Sequence, residues 1–210
     1  MRLSPQEIAA ALGAEVLAEG DPTPPRRATI DSTRTGEGDL FFGLKGANRD
    51  GGEFAPAAIE AGAWGVVVGE KVRRTFASDS GEKVRRTWVF AVEDPLVAMQ
   101  SLARAWRRAL GARVVGVTGS VGKTTVKDIS RALLPGRVHA NHENFNNEIG
   151  LPLTLLEAPD ETETLVLEMA MRGKGQIAEL AAIAEPEVAV ITNVGPVHVE
   201  LLGSVEAIAA

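Results

Sequence analysis

The chain contains no cysteine, which excludes disulfides, thiol catalysis and Cys-ligated metal centres. No apolar run approaches the roughly 20 residues that a membrane-spanning helix needs. The opening Met1-Arg2-Leu3-Ser4-Pro5-Gln6-Glu7 lacks the pattern of a secretory signal. A cytoplasmic protein with no membrane partner is expected by default. Basic charge is in deficit, with 22 Lys and Arg against 28 Asp and Glu and a formal net charge of −6, so general nucleic-acid binding is not expected. What remains is ordinary for a globular protein: 210 residues, 45% hydrophobic and 24% charged. That length suits one large domain or two small ones. A monomer is the expectation.

The first half alternates helix and strand signals. Ser4, Pro5 and Glu7 form a helix-start signature, Ile8, Ala9 and Leu12 give it an apolar face, and Gly13 stops it. A proline-rich connection at 21–25 precedes a short strand at Thr29-Ile30. Asp39 to Leu44 and Gly65 to Val68 read as buried strands, with an alanine-rich helix at 54–63 between them. Trp88 to Val92 is a further strand. Pro95 to Leu110 has helical spacing through Leu96, Met99, Leu102, Ala103 and Trp106, and Gly111 ends it. A domain boundary is placed near residue 92. This gives a small α/β domain over 1–92 and a second domain over 93–210 whose strand, loop and helix rhythm is that of an open, largely parallel sheet.

A seven-residue segment occurs twice, as Gly69-Glu70-Lys71-Val72-Arg73-Arg74-Thr75 and as Gly81-Glu82-Lys83-Val84-Arg85-Arg86-Thr87. One copy pair is too short for a solenoid. The preferred reading is a local duplication in a surface hairpin or loop, and the alternative is a basic patch for an anionic ligand.

The chemistry concentrates in the second half. The β-branched strand Val114-Val115-Gly116-Val117-Thr118 runs into Gly119-Ser120-Val121-Gly122-Lys123-Thr124-Thr125, and a helix follows to about Leu134. Strand, glycine loop and helix are the context of a phosphate-binding loop. The glycines let several N–H groups face one anion, and the helix N-terminus adds a favourable dipole. Lys123 supplies a point charge for the phosphates, and the Thr124 hydroxyl is placed to ligate Mg²⁺. The common pattern has Gly at the slot occupied here by Val117. Glu168 ends a second buried strand from Thr164, at the edge where ligands gather in such sheets, and is a candidate Mg²⁺ ligand opposite Thr124. Glu187 to Thr192 is a third strand, leading to Asn193 and to His198. On chemistry alone His198 reads as a hydrogen-bonding loop residue, because Mg²⁺ prefers oxygen. The polar run from Asn141 to Glu148 either caps the next helix, through Asn147 or Glu148, or holds a polar substrate.

These segments resemble the Mur ligases, ATP-dependent amide-forming enzymes of peptidoglycan precursor synthesis. The Gly116 to Thr125 loop is similar to the family's ATP loop. Asn146 to Thr154, Glu168 to Gly173 and Ile191 to His198 are similar to three more of its blocks, and Asp31 to Arg34, Gly38 to Phe42 and Lys45 to Gly51 to its uridine-nucleotide-binding segments. Within the family, Glu168-Met169-Ala170-Met171-Arg172-Gly173 and the Asn146-Asn147-Glu148-Ile149-Gly150 run resemble the branch that joins D-alanyl-D-alanine to UDP-N-acetylmuramoyl-tripeptide through an acyl phosphate. The resemblance implies ATP and Mg²⁺ as cofactors. It implies nucleotide contacts from Thr118, Gly119, Ser120, Val121, Gly122, Lys123, Thr124, Thr125 and Asn193, and catalytic roles for Lys123, Glu168 and His198. Thr124, Glu168 and His198 become metal ligands, Ser32, Arg34, Lys45 and Asn48 contact the uridine nucleotide, and Asn146 and Asn147 face the muramoyl-peptide.

Two departures stand out. The family carries a lysine soon after the block ending at His198, whereas no lysine follows Lys174 here. The family's C-terminal domain has no counterpart either. A fragment with little ligase activity of its own is therefore expected. Four rivals carry distinguishing features. A sister ligase adding a diamino acid to the UDP-muramoyl-dipeptide is disfavoured by the 168–173 block. A folylpolyglutamate-type ligase is disfavoured by the segments between Asp31 and Gly51. A GTP-dependent switch needs an Asn-Lys-x-Asp segment, which is missing. A non-catalytic UDP-sugar-binding module would describe the first domain alone.

Overall fold

The computed structural model describes residues 1–77, 86–142, 144–196 and 204. The chain divides into two compact units, Met1–Ala105 and Trp106–Ala210, each with its own sheet.

The first unit opens with α1 (Pro5–Leu12). The Ser4 hydroxyl accepts from the Glu7 N–H, the Glu7 carboxylate accepts from the Ser4 N–H at 2.7 Å, and Gly13 ends the helix in the left-handed region at φ 63°. Five strands follow: β1 (Glu15–Ala18), β2 (Arg27–Thr29), β3 (Asp39–Phe42), β4 (Gly65–Gly69) and β5 (Trp88–Val92). Their spatial order is β1-β5-β4-β3-β2, with β1 antiparallel and the other pairs parallel. Helices α2 (Ala55–Glu60), α3 (Glu70–Ala77) and α4 (Pro95–Leu110) complete the set, and the division between units falls inside α4. The central strands β3 and β5 are buried along their whole length, which is why they read as continuous apolar runs rather than alternating ones. Strand β1 has no such run: none of its four residues is fully buried, and it gives no strand signal in the sequence.

The proline-rich connection is pinned to this core by two indoles. Trp64 Nε1 donates to the Thr23 carbonyl at 2.6 Å and Trp88 Nε1 to the Asp21 carbonyl at 2.7 Å, while the two rings stack with centroids 6.0 Å apart. The first copy of the duplicated segment corrects the expectation of a hairpin or loop. Gly69 ends β4, and Glu70 onward forms α3. Val72 of this copy and Phe76 just beyond it, four residues apart, are buried against Phe41, Val66 and Val89, so α3 carries a helical apolar stripe. Its Arg73 pairs with Glu15 and Glu70. Residues 81–85 of the second copy lie outside the described residues.

In the second unit β6 (Arg113–Thr118), β7 (Val138–Ala140), β8 (Thr164–Glu168) and β9 (Val188–Ile191) form an all-parallel sheet in the order β7-β8-β6-β9. Helices α5 (Lys123–Leu133), α6 (Gly150–Glu157) and α7 (Gln176–Ala184) connect them. The order places β6 between β8 and β9, so the loops after these three strands emerge at one edge.

A single buried carboxylate anchors the start of β3. The Asp39 side chain is fully buried, and its oxygens accept from Arg26 Nη2 at 2.9 Å, Arg27 Nη2 at 3.0 Å and the Gly36 N–H at 3.0 Å. Burial pushes this carboxyl up and is the largest single influence. The bonds from Arg27, Arg26 and Gly36 together outweigh it and hold the group below the usual aspartate range. A carboxylate with a depressed folded-state pKa contributes stability that is present above its unfolded value and lost as pH falls through the folded one. Asp39→Asn is expected to lower stability by about 2 kcal/mol at neutral pH, the scale of hydrogen bonds to a charged group. In urea denaturation followed across pH, the gap from wild type should narrow below about pH 4; a gap independent of pH would contradict this account.

Candidate nucleotide-binding site

Strand β6 ends at Thr118, and α5 begins at Lys123, so 119–122 is a tight loop at the carboxyl edge of the sheet. Two glycines make it possible. Gly119 has φ 136°, and a Cβ there would collide with Thr192 Oγ1 and lie 2.9 Å from the Asn193 carbonyl. Gly122 sits at φ 85° immediately before the helix. Val117, at the slot where the common motif has glycine, lies still inside β6. It is fully buried and paired with Glu168 on one side and Val190 on the other. The chain has not yet turned there, so a β-branched side chain fits, and the conformational freedom is needed two residues later.

The segment after β9 splints the loop. Thr192 N–H donates to the Thr118 carbonyl at 2.9 Å, and Thr192 Oγ1 donates to the Val121 carbonyl at 2.6 Å. Ser120 N–H reaches the Asn193 carbonyl at 3.0 Å, Val121 N–H donates to Asn193 Oδ1 at 2.9 Å, and Gly195 N–H donates to Ser120 Oγ at 2.9 Å. Asn193 therefore shapes the loop through its side chain. Lys123 Nζ folds back onto the Gly119 carbonyl at 2.7 Å, across the concave side of the turn. Thr125 is exposed on the first turn of α5.

Two of the metal candidates, Thr124 and Glu168, meet. The Thr124 hydroxyl donates to Glu168 Oε2 at 2.8 Å, and Asn146 Nδ2 donates to Glu168 Oε1 at 2.8 Å. Glu168 is 3% exposed, and these two bonds hold its carboxylate from both sides. Asn146, expected to face a peptide substrate, here holds Glu168. Asn147 Oδ1 accepts from the N–H of Gly150, the first residue of α6, at 2.8 Å. His198 lies outside the described residues. Among the described residues no group of three or more His, Cys, Asp or Glu is arranged to hold a metal. The donors that do meet, Thr124 Oγ1 and Glu168 Oε2, are hard oxygens and fit Mg²⁺ chemistry. Thr192 and Asn141 are not among the individual site candidates of the sequence, although Asn141 opens the polar run to Glu148. Thr192 lies within the Ile191 to His198 block, which was the available signal.

The uridine candidates lie in the first unit. Ser32 lines a cavity of about 430 Å³ together with Ile30, Asp31, Phe41, Arg49 and Phe54. Lys45 falls between the lining residues Leu44 and Gly46 but is itself exposed, as are Arg34 and Asn48. Arg49 was not singled out, although it belongs to the Lys45 to Gly51 block. No helix among the described residues is long and apolar enough to cross a membrane.

A phosphate-type loop at a parallel sheet edge, faced by a carboxylate from the next strand, defines a nucleotide-binding α/β unit. Family models agree and go further. The Mur ligase middle domain matches residues 117–210, and the Mur ligase family catalytic domain matches residues 27–107. The chain belongs to the Mur ligase family. A relative from Synechocystis sp., UDP-N-acetylmuramoyl-tripeptide--D-alanyl-D-alanine ligase, is 49% identical over 174 residues, covering 82% of this chain and 37% of the relative. MurF from Acinetobacter baumannii superposes with a TM-score of 0.84 at 26% identity, over 100% of this chain and 45% of that one. MurF ligase from Thermotoga maritima in complex with ADP does so with a TM-score of 0.75 at 38% identity, over 88% and 41%. The chain spans less than half the length of the relatives it matches.

Gly119→Ala tests the loop. Its added methyl meets the backbone of the β9 segment, so ADP affinity should fall by about tenfold or more while circular dichroism keeps its α/β signature, the backbone strain alone being worth about 1–3 kcal/mol. Unchanged affinity would show that ADP is not held by this loop.

Proposed function

We propose that this chain carries the nucleotide sites of a ligase joining D-alanyl-D-alanine to UDP-N-acetylmuramoyl-tripeptide at the expense of ATP. One observation carries the reading: the Thr124 hydroxyl and the Glu168 carboxylate meet at 2.8 Å beside the loop that ends in Lys123. A loop built only as a turn has no need of a buried carboxylate facing a helix-terminal hydroxyl. The naming of the relatives supports the choice of substrates.

In this reading the β- and γ-phosphates take the place of the Gly119 carbonyl as partner of Lys123. The ammonium then offsets the charge that develops on the transferred phosphoryl group. Thr124 and Glu168 would hold Mg²⁺, which supplies further neutralisation of phosphate charge when bound. Asn146 keeps the Glu168 carboxylate oriented, and the splint from Thr192 and Asn193 keeps the loop in shape. The tripeptide carboxylate attacks the γ-phosphorus, and the bond to the bridging oxygen breaks to release ADP. The amine of D-alanyl-D-alanine attacks the acyl carbon of the resulting acyl phosphate. A C–N bond forms, the amine loses its proton and phosphate leaves. Two steps are needed because a free carboxylate is a poor acylating agent and its phosphoric anhydride a good one. The cavity lined by Ser32, Phe41 and Arg49 is assigned to the uridine nucleotide, and the family resemblance makes His198 a further candidate for the metal.

Two measurements test this. In calorimetric titrations Lys123→Met should weaken ADP binding by about tenfold or more, as expected for loss of a charge-assisted phosphate contact. A protein carrying these residues together with the further length of the relatives, given Mg-ATP, UDP-N-acetylmuramoyl-tripeptide and D-alanyl-D-alanine, should yield the pentapeptide product by mass spectrometry with matching phosphate release. Product from the dipeptide and a diamino acid instead would overturn the substrate assignment and leave the nucleotide site intact.

A further inference from the structure

Of the eleven residues of α5, the one that is buried is a lysine. Lys127 is 4% exposed and lies one helical turn beyond Lys123. Leucine or methionine would fill such a position without the desolvation that a buried ammonium requires. The charge therefore calls for a reason, and its contacts supply one. Lys127 Nζ donates to the Asn141 carbonyl at 2.8 Å and lies 3.3 Å from Asp128 Oδ1, a carboxylate 61% exposed.

Asn141, 2% exposed, turns both ends of its side chain on Glu168. Its Oδ1 accepts from the Glu168 N–H at 2.9 Å. Its Nδ2 donates to the Glu168 carbonyl at 2.9 Å and to the Phe145 carbonyl at 2.9 Å. The amide thus clamps the backbone of Glu168 where β8 ends, while Thr124 and Asn146 hold its carboxylate. A closed ring results. It runs from Lys127 to Asn141, from Asn141 to Glu168, from Glu168 to Thr124, and back along one turn of α5.

We propose that Lys127 is a positioning residue that sets the spacing of Thr124 and Glu168, and so of the cation–phosphate site, by acting through Asn141. It rests on the reading of Thr124 and Glu168 as a Mg²⁺–nucleotide site and names what holds that site to its dimensions. Apolar packing of α5 is non-directional and tolerates small slides of the helix along the sheet. A charge-assisted bond from the helix to one carbonyl, itself tied to Glu168, does not. Residues that orient metal ligands from behind typically change metal affinity by about 10–100-fold when removed.

Lys127→Met keeps length and removes the donor, and Asn141→Ala breaks the ring one link nearer Glu168. Amide hydrogen exchange and ADP titrations with and without Mg²⁺ are the readouts, on both variants. In Lys127→Met the Glu168 amide should lose about tenfold of its protection while the Val166 amide in the same strand keeps its own. The strengthening of ADP binding by Mg²⁺ should fall by about tenfold, with metal-free ADP affinity within about twofold of wild type. If Lys127→Met does not fold, the same split in Asn141→Ala supports the ring. Unchanged Glu168 protection overturns the proposal. So does a uniform loss across β8 with both ADP affinities, the mark of a merely structural lysine. A wild-type protein whose ADP affinity ignores Mg²⁺ counts against the metal reading itself, and takes the proposal with it.

Discussion

Thr124 and Glu168 are 44 residues apart in sequence, and the hydrogen bond between them at 2.8 Å is the contact around which the second unit is organised. For it to form, β6 must end where the loop can turn, α5 must start within one residue of Lys123, and β8 must lie beside β6 in parallel register. Each condition has its own cause. Val117 pairs with Glu168 across the β6–β8 ladder, which fixes where the carboxylate emerges. Gly119 provides the one backbone conformation that clears Thr192 and Asn193. The parallel crossover supplies a helix N-terminus at the same edge as the strand end. A carboxylate only 3% exposed would be unfavourable without partners, and here it has partners for both oxygens.

The first unit applies the same economy of buried charge to a different end. Asp39 lies at the start of β3 and gathers Arg26 and Arg27 from the start of β2 and the Gly36 N–H from the intervening loop. Because both arginine side chains remain partly in water, at 62% and 43% exposure, only one member of the cluster bears a full desolvation cost. The loop running from Ile30 into the ligand-candidate cavity is thereby tied to the sheet: Arg27 Nη2 also donates to the Arg34 carbonyl at 2.9 Å. Fold stability and the geometry of the Ser32 region depend on the same carboxylate.

Much of this was readable in the sequence because it rests on local signals. Residues 114–125 combine a β-branched run, spaced glycines and Gly-Lys-Thr before a helix, and all of these act within a few residues of one another. The caps of α1 and the buried runs of β3, β4 and β5 are of the same kind. What could not be read depends on contacts distant in sequence. Strand β7 has three residues, of which only Ala140 is fully buried, and it exists because β8 pairs with it. The bond from Asn146 to Glu168 spans 22 residues of sequence, and nothing local to the polar run announces it. The first copy of the duplicated segment looked like a charged surface loop because five of its seven residues are polar or charged. Only packing against β4 and β5 shows that Val72, with Phe76 beyond it, forms a buried stripe.

Val117 shows why a motif is better understood through its physics than matched as a pattern. The common form of the loop asks for glycine there, and a strict match would count this chain as deficient. The structural demand is for positive φ and close backbone approach, and those fall at Gly119 and Gly122, with φ 136° and 85°. Residue 117 has extended strand geometry and shares its buried cluster with Ala140 and Val166, with Val115, Val126, Leu134, Val138 and Val190 packed against it. A valine there strengthens the strand that launches the loop. This loop therefore needs glycine where the backbone bends and takes a β-branched residue where it does not, and the sequence satisfies both.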